Sequence, residues 1–140
     1  MAIKETFRLE IVTPDRKVVD IEAKYFSAPG MEGEFGVLPG HTEFFTILKP
    51  GEILYKDSSG ERLLAVSWGY VEVKPESVVV LAENAEPAEE LDVERARKKM
   101  DYWEKELAAL KPEDKKQKQY QAKFEREQAR IYVASRLLKK

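Results

Sequence analysis

The chain contains no cysteine, a single histidine and, after Gly69, no glycine at all. The lack of cysteine excludes disulfides and thiolate chemistry. His41 alone cannot build a metal site. No apolar run approaches the ~20 residues that a membrane-spanning helix needs. The opening MAIKETFRLEIVTP passes from a few polar residues into an alternating pattern, without the apolar block of a secretory signal, so a cytosolic protein, or one peripheral to something larger, is expected. A GxxxxGK[ST] phosphate loop is absent, no serine stands in a nucleophile elbow, and the carboxylates show no convergent pair. An enzyme is not the expectation.

What is present divides sharply near Pro87. All seven glycines and six of the seven prolines fall in residues 1–87, whereas residues 88–140 hold 26 of the 50 charged residues. Glycine and proline punctuate short strands and turns, while a charged tract with apolar residues at helical spacing reads as helix. The expected organisation is a β module over 1–87 followed by a helical arm over 88–140. At 43% hydrophobic and 10% aromatic residues the composition is that of a folded protein. The net charge of -2 conceals a polarity, with 9 basic against 15 acidic residues in the first part and 15 against 11 in the second. The arm is cationic on an anionic base, but acids are interleaved throughout it, which argues against nucleic acid as a partner.

Phe7, Leu9 and Ile11 alternate with Arg8 and Glu10, the period of a half-buried strand. Further strands are expected at Val18–Ala28, Gly33–Leu38, Gly51–Lys56, Arg62–Val66, Trp68–Val73 and Val78–Ala82, a spacing that suits a β-sandwich or flattened barrel. In the arm, Ala96, Met100, Trp103, Leu107 and Leu110 recur at intervals of four and three, one stripe of a helix. Pro112 interrupts it and is expected in the first turn of a second helix carrying Tyr120, Phe124, Ile131, Ala134 and Leu138 on one face. Two amphipathic helices joined by a short break predict an antiparallel hairpin that leans on the β module or on a partner. The predicted fold class is therefore α+β.

Three features invite chemistry. GMEGEFG carries Gly30, Gly33 and Gly36, yet Val37-Leu38-Pro39-Gly40 follows where a phosphate loop needs a helix, so the glycines read as turn residues. Asp92 either caps the helix that follows or, with Arg95, contacts a ligand. Lys123, Arg126 and Arg130 share one flank of the second helix. Like charges at i, i+4 repel slightly and a bound polyanion would relieve this, although most such stripes are solvated, which is the expectation here.

GEFGVLPGH at Gly33–His41, the Lys49-Pro50-Gly51 turn, SWGYVEVKPESVVVLAENA at Ser67–Ala85 and LDVERA at Leu91–Ala96 together resemble, in order and over nearly the whole chain, the epsilon subunit of bacterial F-type ATP synthase. The resemblance implies a sandwich of about ten strands followed by a helical hairpin. It implies a place in the central-stalk rotor, at the cytoplasmic face of the bacterial cell membrane and attached only through the complex, with no catalytic site of its own. The implied partners are the gamma subunit and the c-ring for the sandwich, with Glu32 and His41 at family positions near them, and the catalytic beta subunits for the extended hairpin, which blocks ATP hydrolysis. No cofactor is required. In some members an [IL]DxxRA motif binds regulatory ATP and holds the hairpin down. Leu91, Asp92, Arg95 and Ala96 match it, Glu86 matches an associated acidic position, and Arg126 or Arg130 would assist. The chain departs from nucleotide-binding members at Tyr102, where another arginine can stand. The competing class is a binding module outside any motor, its hairpin forming an intermolecular coiled coil.

Overall fold

The computed structural model describes residues 5–138. Among these residues the N-terminal part contains eight strands: β1 (Phe7–Val12), β2 (Lys17–Ala23), β3 (Tyr25–Gly30), β4 (Gly33–Val37), β5 (Phe44–Leu48), β6 (Gly51–Asp57), β7 (Gly60–Lys74) and β8 (Ser77–Pro87). They connect in the order β2-β1-β8-β7-β5-β3-β4, with β6 paired to both β3 and β7. Pairing is antiparallel except between β1 and β8.

The long β7 makes the two layers possible. Its first half, Gly60–Val66, pairs with β6, and its second, Gly69–Val73, with β5. The expected separate strands Arg62–Val66 and Trp68–Val73 are thus one, and the expected Val18–Ala28 is two. The break in the latter falls at Lys24, whose N–H bonds the Lys56 carbonyl as β2 leaves β1 and β3 takes up β4 and β6. β5 was not expected at all. Among the described residues eight strands stand where about ten were expected, and β7 alone covers two of the expected segments. At the crossing, Gly69 is obligatory: a Cβ there would lie 2.0 Å from the Leu81 carbonyl oxygen.

Alternation puts Phe7, Leu9 and Ile11 inward with Phe26, Val37, Leu48, Ile53, Val71, Val78 and Val80, each almost fully buried. Burying a side chain of this size contributes roughly 1.5–3 kcal/mol. Every buried residue of this main core lies between Phe7 and Ala85, so the sandwich owns its core without the arm.

A 3-10 turn at Ala88–Glu90 leads to α1 (Val93–Ala109), and α2 (Gln117–Leu138) returns against it. The stripe Ala96, Met100, Trp103 and Leu107 is the covered side of α1, with the expected Leu110 following as its extended C-cap, and Trp103 packs on Tyr120 at 5.0 Å between ring centroids. Pro112, however, does not enter α2. Asp114 accepts the Lys116 N–H at 2.8 Å and turns the chain twice between Lys111 and Gln117, so the helix starts later. Of the second predicted face, Tyr120, Phe124, Ile131 and Ala134 are covered, whereas the side chain of Leu138 lies outside the described residues. A second covered face of α2 was not anticipated. Val133, fully buried, joins Leu63, Ala65 and Ala88 in a small cluster that seats the hairpin on β7. Among the described residues no helix is long and apolar enough to cross a membrane.

Candidate functional site

Asp92 and Arg95 lie where β8 hands over to α1, and α2 passes opposite. The Asp92 carboxylate accepts the Arg95 backbone N–H at 3.1 Å with extended backbone at the cap, so the N-cap reading holds. A cap of this type stabilises by about 1 kcal/mol. The cap occupies one carboxylate oxygen, and a ligand can still reach the other. Around it opens a cleft of about 200 Å³. Glu86, Asp92, Arg95 and Arg130 all line it, so four of the five residues picked from the sequence converge. Arg126 does not line it.

The expected solvated cationic stripe is corrected by the fold. Arg130 donates to Glu86 through Nε at 2.8 Å and through Nη2, and to both oxygens of Glu127 through Nη1 at 2.7 and 2.8 Å. Burial pushes the Arg130 guanidinium down, but Glu127 and Glu86 outweigh it and leave it above its ordinary value. Arg126 Nε reaches Glu127 at 3.2 Å, and the Lys123 ammonium sits 4.7 Å over the Trp103 ring. The repulsion between Arg126 and Arg130 is therefore relieved from within, by a glutamate placed between them. Glu127 is 1% exposed and was not singled out from the sequence. The available signal was its position: it stands on the stripe between Phe124 and Ile131 where an apolar residue is due.

What remains for a ligand is narrower than the sequence suggested. The Arg95 guanidinium and the Lys99 ammonium line the cleft and take part in no ion pair among the described residues, whereas Arg130 is engaged. Glu86, Glu90, Asp92 and Glu127 set four carboxylates against the three cations of the lining. The volume is below the ~300 Å³ at which small-molecule pockets usually begin, so a nucleotide would extend into solvent. Tyr102 is exposed and packs edge-on to Trp103.

A second surface lies on the sandwich. The register aligns Ile47, Tyr70, Leu81 and Val12 across β5, β7, β8 and β1, and Phe45 stacks on Tyr70 at 5.6 Å. Phe45, Ile47, Tyr70 and Leu81 are 46–61% exposed, an apolar row on the outer face of the sheet. Sequence reasoning missed it because β5, FFTIL, is apolar on both faces and does not alternate cleanly. Glu32 is exposed in the β3–β4 turn, beside exposed Met31. His41 is half-buried, with Nδ1 2.9 Å from the Thr42 carbonyl oxygen and its ring 5.5 Å from Phe44. Among the described residues Glu32 and His41 share no hydrogen bond, ion pair or ring contact, and they stand at separate positions on the module. Gly33–Val37 is strand β4, which removes the phosphate-loop reading of GMEGEFG.

Comparison with known proteins is consistent with this architecture. Residues 6–88 match the family described as ATP synthase, Delta/Epsilon chain, beta-sandwich domain. The ATP synthase epsilon chain of Geotalea uraniireducens is 43% identical over 97% of this chain and 99% of its own length. That of Citrifermentans bemidjiense is 45% identical over 94% and 96%. Among solved structures, a chain of the Euglena gracilis mitochondrial ATP synthase superposes with a TM-score of 0.78 at 21% identity, covering 100% of this chain and 85% of that one, a likeness of fold. Near-complete coverage at more than 40% identity settles the family: this chain belongs to the ATP synthase epsilon chains.

Proposed function

We propose that this chain is a non-catalytic rotor subunit of a bacterial F-type ATP synthase, working in the central stalk at the cytoplasmic face of the membrane. Its sandwich docks on the gamma subunit and the c-ring and helps couple ion flow to ATP synthesis. The apolar row of Phe45, Ile47, Tyr70 and Leu81 supports a docking role, because an exposed row of this kind on a sheet with its own core is costly unless a partner covers it. Glu32 and His41, at the turn and loop of the same module, are the proposed contacts toward gamma and the ring.

The hairpin is the regulatory part. The observation that carries this reading is the separateness of its seat: one small apolar cluster and a few ion pairs hold it to a sandwich whose core is complete without it. Such a seat can be left and retaken, and elements that move are drawn from the weakly held end of a fold. Extended along gamma, the cationic arm would meet acidic surfaces of the beta subunits and oppose ATP hydrolysis. ATP is proposed as a regulatory ligand of the folded form, bound weakly through Glu86, Asp92 and Arg95 with help from Arg130, since Arg126 stands outside the cleft. A ligand of that kind shifts the equilibrium only by its differential affinity for the two states. The test is removal of residues 88–140 from the reconstituted complex. Hydrolysis rises while rotor assembly persists; hydrolysis unchanged across a range of ATP and ADP concentrations would refute the regulatory role.

A further inference from the structure

One buried titratable group in the wall of that cleft is already taken up by the protein's own cations. Glu127 is a carboxylate taken out of water on α2, 1% exposed, and an unpaired charge in such a place is strongly unfavourable. Its compensation is local: Arg126 Nε at 3.2 Å, and Arg130 Nη1 at 2.8 and 2.7 Å from its two oxygens. A guanidinium is a rigid planar fork, so fixing one edge fixes the others. With Nη1 held by Glu127, the Nε and Nη2 edge of Arg130 is presented to Glu86 at the end of β8. A continuous chain of charge thus runs from the interior of the hairpin to the sandwich, across 44 residues of sequence.

We infer that Glu127 is a built-in anion that latches the hairpin, filling the seat between Arg126 and Arg130 that an external oxyanion would otherwise take and holding Arg130 on Glu86. The folded hairpin then persists with no nucleotide bound. An internal carboxylate acts at the high effective concentration of a tethered group, whereas a free anion must first give up its freedom in solution. A second ion pair between α2 and the sandwich, Arg136 with Glu52 at 2.9 and 3.1 Å, lies 84 residues apart in sequence and involves neither Glu127 nor Glu86. A charged residue on an otherwise apolar stripe costs stability but selects one arrangement of the helices, which suits a latch. The inference rests on the reading that the hairpin moves between folded and extended states.

The absence of cysteine makes the test clean. Donor and acceptor dyes on cysteines introduced at exposed Ser58 and Gln128 of the full chain report the folded fraction by energy transfer, without nucleotide. The unsubstituted chain is folded. Glu127→Ala raises the open-to-folded ratio at least about tenfold, as expected for losing charge-assisted hydrogen bonds. Acetate, a carboxylate that enters the vacated seat, restores the folded state beyond sodium chloride of equal ionic strength. Glu86→Gln, which cuts the sandwich end of the chain of charge, also opens the hairpin, and acetate does not restore it. If Glu127→Ala stays folded, or opens without responding to acetate, the built-in anion is overturned. Where melting shows Glu127→Ala to be unfolded, Glu86→Gln decides, and a folded hairpin in that variant overturns the latch. Val133→Asp separates the two levels, since it puts a charge into the apolar seat. If it opens the hairpin while Glu127→Ala and Glu86→Gln do not, the latch falls and the moving hairpin stands. If it too stays folded, the moving hairpin falls.

Discussion

Val133→Ala tests whether the hairpin detaches as a unit. Val133 is completely buried where α2 meets β7, against Leu63, Ala65 and Ala88, with Leu54, Leu91 and Leu137 around them. Alanine removes two methyl groups at ~0.8 kcal/mol each, and incomplete collapse of the space left behind raises the cost to about 2 kcal/mol. One effect opposes this. Alanine is the better helix former by at most about 0.7 kcal/mol, which counts only if opening also unwinds α2. The net, above about 1 kcal/mol, multiplies the opening constant roughly tenfold, and up to about 30-fold if the helix stays wound. Because none of the main core lies in the arm, the loss falls on opening of the hairpin and not on unfolding of the sandwich. Native-state amide exchange reads both at once. Amides of α2 exchange faster by that factor while those of β1 and β8 are unchanged. Equal acceleration in β1 and β8 would show the chain to be one cooperative unit and would refute the reasoning.

Gly69→Ala forces a methyl group to within 2.0 Å of the Leu81 carbonyl oxygen, so β7 and β8 must part. Destabilisation above about 3 kcal/mol is expected in urea titrations, and a change below about 1 kcal/mol would contradict the close approach. Asp20 on β2 is held below its ordinary value of 3.8 by the hydrogen bond from Arg8 and then by Lys17. A depressed carboxylate contributes stability that is complete above its unfolded value and lost as pH falls through the folded one. The stability gap between the natural chain and Asp20→Asn should therefore be open at about pH 7 and close below about pH 3.8, and a gap that does not narrow would refute the pairing. Arg95→Ala should weaken ATP binding by the isolated chain at least about tenfold, read by calorimetry at millimolar ATP. Equal binding by both chains would leave Arg95 as a surface charge above the cap made by Asp92.

The sequence by itself determined the division at Pro87, the strand alternation of Phe7–Ile11 and the α1 stripe from Ala96 to Leu107, because burial on one face imposes a period that local sequence must carry. It also carried the Asp92 cap, whose bond spans only three residues. The resemblance placed Glu86 beside Asp92 and Arg95, and the fold brought them together. Strand continuity was not legible in the same way. Whether Arg62–Val73 is one strand or two depends on β6 and β5 both finding it, and no local residue reports that. Pro112 misled because a proline suits a helix start, whereas the Asp114 turn fixed the start at Gln117. The largest tertiary decision concerned charge. Lys123, Arg126 and Arg130 look like a free cationic flank in sequence, and only folding reveals a tryptophan ring beneath one, Glu127 between the others and Glu86 at the end of a strand 44 residues away. Coulombic pairing depends on distance in space, and sequence spacing fixes that distance only within a helix turn.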